Sequence, residues 1–250
     1  MTTEVKIYPT IGLLAKDFAV EIISKINDLA EQGKAFYVML SGGNTPKLLF
    51  GFLAKLSSKV KSWEHVHFYW GDERCVPPDD PESNYRMAKE ELLDIIPTPE
   101  ANIHRIFGEN DPEKEAQRYA AIISNIPAFD LIMLGMGDDG HTVSIFPNNL
   151  DFMESHNQCE VSMHPKTKQM RVTVTGKVIN NADAVVFLVT GKNKAGIIAE
   201  IFSKTGSYLT YPATHIHPEK GELKWFLDED AASLINESSL KRRYKFNKCG

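Results

Sequence analysis

A single histidine follows three closely spaced glycines in the segment Leu134–Thr142, which reads LGMGDDGHT. Histidine is the side chain suited to acid–base catalysis near neutral pH, so His141 is a candidate catalytic base, with a structural histidine as the alternative. The glycines also match the dinucleotide-binding pattern G-x-G-x-x-G, which needs a helix directly after it. The stretch from Val143 to Asn149 contains Pro147 and β-branched side chains that disfavour a helix. We therefore favour a loop that presents His141 to a ligand.

A second glycine-rich segment, Ser41–Pro46, reads SGGNTP and follows a short apolar stretch. Gly42 and Gly43 allow the backbone to approach a ligand closely. Thr45 and Pro46 predict the N-cap and the first residue of a helix. Free N–H groups at a helix start bind anions, so this loop is a candidate phosphate site, with a ligand-free tight turn as the alternative. The Walker pattern G-x4-G-K-S/T is absent from the sequence.

Four charged residues that could bind a ligand lie at or near the ends of predicted strands. The segment Trp70–Pro77 reads WGDERCVP and places Asp72 and Arg74 directly after a predicted strand, where they could hold a substrate or form a surface ion pair. Arg171 opens another predicted strand, and Lys194 follows a third. Either cation could bind a phosphate, although both could also extend into water.

Strand-like and helix-like stretches alternate along the chain, which predicts a doubly wound, mostly parallel α/β sheet. In such sheets ligands bind beyond the carboxyl ends of the strands, which is where the glycine-rich and charged segments fall. The predicted strands are Val5–Tyr8, Ala35–Leu40, Val66–Trp70, Phe129–Leu134, Ala184–Thr190 and Leu223–Leu227, and Glu160–Met163 with Arg171–Thr175 forms a predicted antiparallel hairpin. Predicted helices cover Ala15–Leu29, Pro46–Leu56, Ser83–Ile96, a stretch beginning at Pro112, Lys192–Phe202 and Asp228–Leu234.

Composition excludes several classes of protein. The 250 residues carry a formal net charge of −5, without the basic stripe that nucleic-acid binding requires. No stretch approaches the ~18 consecutive apolar residues of a membrane span. The three cysteines are widely spaced, and the pair His215 and His217 has no third ligand nearby, so we expect neither a disulfide framework nor a metal site. A cytoplasmic protein without cofactor, nucleic-acid or membrane partners is expected.

The length fits one α/β domain, which we place at residues 1–240. The last ten residues, 241–250, include five basic side chains, and we expect them to form a solvated, poorly ordered tail. The sequence does not fix the oligomeric state, for which a monomer or a weak homodimer is our expectation.

Taken together, the motifs resemble those of the glucosamine-6-phosphate isomerase/6-phosphogluconolactonase family. The resemblance runs through nearly the whole chain in the expected order, and it is specific as a set although each motif alone is weak. It implies a modified Rossmann-like α/β fold and the hydrolysis of 6-phosphoglucono-1,5-lactone, without cofactor or metal. The matching segments are Ser41–Pro46, Gly71–Pro77, Ser83-Asn84, Leu134–Pro147, Arg171–Thr175, Val189–Ala195, Trp225–Asp228 and Ala231-Ala232.

The resemblance also implies roles for individual residues. His141 is expected to be the catalytic base, with Arg74 and Asp72 as further candidates for the catalytic set or for binding the sugar end. The expected substrate- and phosphate-binding residues are Ser41, Gly42, Gly43, Thr45, Asn84, Asp139, Arg171 and Lys194. Val143 and Ile145 stand where the family usually has Ala and Leu, and both changes look conservative in the sequence.

Two other functions remain open at this stage. Glucosamine-6-phosphate deaminases of the same family have a glutamate that assists the histidine, and Phe146 stands at that position here. The Asp-Glu-Arg sequence at positions 72–74 also resembles the lactonases, because the deaminases tend to have tyrosine at the third place. A non-catalytic sugar-phosphate sensor is the other alternative, but such regulators usually carry DNA-binding helices upstream, and here the first predicted strand begins at Val5.

Overall fold

A computed structural model describes residues 3–249 and has two sheets. The main sheet has eight strands, and every neighbouring pair in it is parallel. The strands of both sheets, in chain order, are β1 (Thr3–Tyr8), β2 (Phe36–Leu40), β3 (Val66–Trp70), β4 (Asp72–Arg74), β5 (Ile103–His104), β6 (Leu131–Leu134), β7 (Cys159–Met163), β8 (Met170–Val174), β9 (Ala184–Val189), β10 (Glu222–Asp228) and β11 (Lys245–Lys248).

Helices alternate with these strands, as the sequence predicts. They are α1 (Ile11–Glu31), α2 (Asn44–Lys55), α3 (Asn84–Ala88), α4 (Pro112–Ile123), α5 (Gly176–Asn180), α6 (Ala195–Ser203), α7 (Glu229–Ala232) and α8 (Glu237–Arg243). The predicted helix Ser83–Ile96 is only partly regular, because α3 continues as a wider π turn over Lys89–Leu93. The alternation confirms the predicted doubly wound α/β fold.

Burial explains why these sequences form these elements. All six residues of β9 are buried, as expected of a central parallel strand covered on both faces. In α1 the buried positions Leu14, Phe18, Ile22 and Ile26 recur at helical spacing, and the Thr10 side chain caps the helix by accepting from the Leu13 N–H. The strands and the apolar helix faces share one hydrophobic core.

The strand order determines where a ligand cavity can form. The order across the main sheet is β11-β1-β10-β9-β6-β2-β3-β5. From β2 the chain proceeds to β3 on one side, whereas from β6 it proceeds to β9 on the other. The carboxyl ends of β2 and β6 therefore border the crevice in which doubly wound proteins bind their ligands.

A small antiparallel sheet covers one side of this crevice. The predicted hairpin of β7 and β8 is confirmed, and its strand β8 also pairs with β4, directly after β3. In this pairing Arg74 lies opposite Arg171, so the second sheet brings together two cations that are far apart in the sequence.

The prediction of a poorly ordered tail was wrong for most of its length. The strand β11 pairs with β1 and forms an edge of the main sheet. Its backbone fills the open side of β1, and Phe246 packs partly buried against the core. Asn247 donates to Glu4 at 2.9 Å, and Lys248 pairs with Glu237 at 2.8 Å. The five basic residues of this segment suggested a solvated end. Composition alone does not show that β1, Glu4 and Glu237 are available as partners.

Candidate active site

A cavity of about 430 Å³ lies at the carboxyl ends of β2, β3, β6 and β9. Its wall comes from the loops that follow these strands, together with Arg171 from β8. The predicted site residues that line it are Ser41, Gly42, Gly43, Thr45, Asp72, Arg74, Asn84, His141, Arg171 and Lys194. The structure therefore brings together residues from six separate stretches of the sequence.

The loop between β2 and α2 approaches its neighbours as closely as the sequence predicts. Gly43 has φ +107°, which favours glycine, and a Cβ atom on Gly42 would lie 1.9 Å from Oδ1 of Asn84. The predicted N-cap at Thr45 was wrong, because α2 begins at Asn44, directly after Gly43. Thr45 lies inside the first turn, and its hydroxyl bonds to that of Thr190 at 2.9 Å. This bond joins the helix start to the end of β9.

The loop after β6 presents His141 without a following α-helix, as predicted. Gly140 has φ +77°, and the Gly137 N–H donates to the His141 carbonyl at 2.9 Å. A Cβ atom on Gly137 would lie 2.0 Å from Nδ1 of His141, so the imidazole packs directly against a bare backbone. The glycines of this loop therefore leave room for the histidine ring, and this explains their presence without dinucleotide binding.

The Asp139 carboxylate contacts the His141 ring at Nδ1. Its Oδ1 lies 2.5 Å from Nδ1 of His141 and also accepts the His141 backbone N–H at 3.1 Å. Burial opposes ionisation of Asp139, but its contacts with His141 outweigh that effect and lower the pKa of Asp139 to about 2. Asp139 is not among the residues that line the cavity, and its predicted place among the substrate-binding residues stays a prediction. The sequence spacing could not distinguish a group that contacts a ligand from one behind the histidine.

The Asp-Glu-Arg segment divides between two faces because side chains alternate along β4. Asp72 and Arg74 line the cavity, whereas Glu73 does not. Glu73 accepts hydrogen bonds from the backbone N–H groups of Arg74, Asn84 and Tyr85 at 2.8 Å each. Burial raises the pKa of Glu73, while these hydrogen bonds oppose that shift. Glu73 is therefore a structural anchor for the start of α3, where Asn84 donates to the Asp72 carbonyl at 3.0 Å.

Arg171 is a buried cation with incomplete hydrogen bonding. Its residue exposure is 9%, and its Nε has no hydrogen-bond partner within residues 3–249. Burial lowers the pKa of Arg171, and the nearby Asp72 opposes that effect. Arg74 lies opposite it on β4, and its Nε also lacks a partner in this part of the chain. Like charges on facing strands destabilise a sheet, so the arrangement favours an anionic ligand.

Lys194 lies at the other end of the cavity wall, in a short turn between β9 and α6. Its ammonium pairs with Asp138, and Asn193 donates to the same carboxylate oxygen at 2.7 Å. The Lys194 side chain is 14% exposed and that of Asp138 is 71% exposed. The carboxylate therefore neutralises Lys194 from the solvent side.

Sequence reasoning missed several residues at the site. Thr190 and Asn193 line the cavity, and Ser144 is fully buried beside Asp72. Phe146, which the sequence analysis did single out, is fully buried, and its ring centroid lies 4.7 Å from that of His141. These residues stand in or next to the motifs already recognised, but their types alone do not indicate which of them face the cavity.

Val143 is more than a conservative change. Its φ is +46°, a conformation that is rare for a β-branched side chain, and it lines the cavity. A Cβ atom on Gly71 would lie 2.8 Å from its Cγ1, so the absence of a side chain there leaves room for Val143. A hydrogen bond from the Ile145 N–H to the Thr142 carbonyl, at 2.9 Å, closes the turn around it.

Neither a membrane span nor a metal cluster is found in the described part of the chain. No helix within residues 3–249 is long and apolar enough to cross a bilayer. The same residues contain no group of three or more His, Cys, Asp or Glu side chains that could hold a metal ion.

The fold and the site define an α/β protein of the Rossmann-like type, with a cavity lined by cationic side chains and a histidine at the crevice between β2 and β6. A family model described as glucosamine-6-phosphate isomerases/6-phosphogluconolactonase matches residues 10–225. The chain belongs to this family.

Named relatives agree with that assignment. A 6-phosphogluconolactonase from Aggregatibacter actinomycetemcomitans is 43% identical over 226 residues, which cover 89% of this chain and 94% of the relative. One from Haemophilus influenzae is 45% identical over 204 residues, covering 80% and 87%. The solved structure of 6-phosphogluconolactonase from Trypanosoma brucei has a TM-score of 0.83 and 26% identity, covering 94% of this chain and 99% of its own.

Proposed function

We propose that this protein hydrolyses 6-phosphoglucono-1,5-lactone to 6-phosphogluconate, a reaction of the pentose phosphate pathway. The observation that carries the proposal is the position of His141, which lines a cavity with Arg74, Arg171 and Lys194 and has the Asp139 carboxylate 2.5 Å from its Nδ1. Relatives at 43% and 45% identity that are named 6-phosphogluconolactonase support the same assignment.

His141 acts as the general base in this proposal. Because Asp139 is a carboxylate, it accepts the proton on Nδ1 and leaves Nε2 as the nitrogen that can accept another. The imidazole takes a proton from water, and the water oxygen bonds to the lactone carbonyl carbon. The bond to the ring oxygen then breaks, and His141 returns the proton to that oxygen. The new carboxylic acid releases one proton to solvent.

Charge on the carbonyl oxygen needs a donor during this reaction. Arg74 lines the cavity and is the proposed donor, with a backbone N–H of the glycine-rich loops as the alternative. Asp72 and Asn84 are proposed to line the sugar end. Cys75 is unsuited to nucleophilic attack, because burial and the nearby Glu73 raise the pKa of its thiol to about 11.

The substrate phosphate is proposed to bind the Ser41–Thr45 loop together with Arg171 and Lys194. None of these groups is needed to open a lactone ring. Their presence is explained if they bind the dianionic phosphate of the substrate, at a distance from the reacting carbonyl. Binding energy from such a group can orient the reacting carbonyl beside His141.

The deaminase alternative is disfavoured at one position. Phe146 packs beside the imidazole, where a deaminase of this family has its assisting glutamate, and an apolar ring cannot transfer a proton. The sensor alternative requires only binding, so it is tested by whether the lactone reacts.

The experiment that tests the proposal follows proton release when fresh 6-phosphogluconolactone is mixed with the protein, against the spontaneous rate. We expect acceleration by the wild type, also in EDTA, and a loss in kcat of about 10²- to 10⁴-fold for His141→Ala. Binding without acceleration would support a sensor instead. Release of ammonia from glucosamine 6-phosphate at a comparable rate would support a deaminase.

A further inference from the structure

Ser144 contacts two charged residues of the cavity wall. It is fully buried, and its hydroxyl donates to Oδ2 of Asp72 at 2.6 Å. The same hydroxyl accepts from Nη1 of Arg171 at 3.4 Å. Asp72 and Arg171 themselves are separated by 3.9 Å between Oδ2 and Nη1. The hydroxyl therefore lies beside the line that joins Oδ2 and Nη1, within hydrogen-bond reach of both charged groups.

This separation is unusual for a buried arginine and carboxylate. Such pairs commonly form two parallel hydrogen bonds of about 2.7–2.9 Å, and a buried charge gains from complete pairing. Arg171 instead has the long contact with Asp72, and its Nε lacks a partner within residues 3–249. Nη1 contacts Ser144 and Nη2 donates to Oε1 of Gln169 at 3.2 Å, so each of these nitrogens keeps a second hydrogen for a ligand in the cavity that Arg171 lines.

The backbone around Ser144 holds the hydroxyl in place. The Ser144 N–H donates to Oγ1 of Thr173 at 3.2 Å, and Oγ1 of Thr142 donates to the Gly135 carbonyl at 2.9 Å. Val143, between them, has the rare φ of +46°. A turn that is fixed on both sides of a strained residue restricts where the Ser144 side chain can lie.

We propose that Ser144 is a positioning residue that acts as a spacer. Its hydroxyl donates to Oδ2 of Asp72 and so keeps this carboxylate from closing onto Arg171, which leaves part of the guanidinium available to an anionic ligand. The identity of that ligand as a sugar phosphate rests on the proposed function, but the spacer role requires only an anion. Because Ser144 lies three residues after His141, one turn positions both the histidine and the cationic wall.

Calorimetric titration with inorganic phosphate and with 6-phosphogluconate tests the spacer. In Ser144→Ala the two charges can pair directly, so we expect the affinity for both ligands to fall about tenfold or more. Ser162→Ala is the matched control. Ser162 is equally buried and faces Arg171 across β7 and β8, but its hydroxyl accepts from Asn149. The control is expected to bind both ligands like the wild type.

A second variant separates the spacer role from a general loss of packing. In Asp72→Asn/Ser144→Ala the charge that captures Arg171 is gone, so phosphate affinity should recover above that of Ser144→Ala. Thermal unfolding of each variant checks that the fold is retained. Wild-type affinity in Ser144→Ala, or no recovery in the double variant, would overturn the spacer.

The two ligands distinguish this proposal from the proposed function. A wild type that binds inorganic phosphate but not 6-phosphogluconate would contradict the proposed substrate, while a weaker Ser144→Ala would still support the spacer. A wild type that binds neither ligand would overturn the spacer as well, because Arg171 would then bind no anion.

Discussion

Replacing Asp139 by Asn tests whether the carboxylate behind His141 contributes to catalysis. Asparagine keeps the shape of the side chain but removes the charge that accepts the Nδ1 proton at 2.5 Å. In the proposed mechanism His141 takes a proton from water and becomes positive, and a carboxylate stabilises that state more than the neutral ground state. The loss should therefore appear in kcat, with a small change in KM.

The magnitude follows from the contact and its exposure. A hydrogen bond to a charged group contributes about 1.5–3 kcal/mol. The Asp139 side chain is 42% exposed and that of His141 is 24% exposed, so water screens part of the interaction. The lower part of the range, about 1.5–2 kcal/mol, corresponds to a decrease in kcat of about 10- to 30-fold.

Initial rates of proton release at saturating 6-phosphogluconolactone give kcat for the wild type and for Asp139→Asn. The pKa of Asp139 is lowered to about 2, so this carboxylate stays ionised between pH 5 and 9. Thermal unfolding controls for misfolding. A kcat within twofold of the wild type, or a loss confined to KM, would refute the reasoning.

Three further predictions concern the loops and the edge of the sheet. Gly42→Ala places a methyl group 1.9 Å from Oδ1 of Asn84, so kcat/KM should fall about tenfold or more, and unchanged kinetics would contradict this close approach. Asp138→Asn removes the exposed carboxylate from Lys194, so calorimetry should show phosphate binding up to about fivefold tighter, whereas weaker binding would mean that Asp138 positions the lysine. Burial and the neighbouring His67 lower the pKa of His104 in the folded protein, so the unfolded state binds more protons and the free energy of unfolding should fall as the pH drops below about 6.5. His104→Phe should make that loss smaller in urea unfolding at pH 7.5 and 5.5, and an unchanged pH dependence would exclude this histidine as a contributor.

Much of the fold could be predicted because its signals are local. Apolar runs such as Ala184–Val189 predict buried strands, and the spacing of Phe18, Ile22 and Ile26 predicts a helix face that packs on the sheet. The order of strands and helices then predicts a doubly wound sheet, since short connections leave few alternatives. The tail was mispredicted because the pairing of β11 with β1 joins residues from opposite ends of the chain.

The candidate site divides in the same way. By itself the sequence determined the chemical types available, since the glycines, His141 and the cations stand in recognisable order after apolar stretches. Only the tertiary structure decided which groups meet, because distances across strands do not depend on spacing along the chain. It placed Arg74 opposite Arg171, and the Ser144 hydroxyl against both Asp72 and Arg171. These contacts arise from pairing between β4 and β8 and from a single strained turn, and neither feature has a signal in the local sequence.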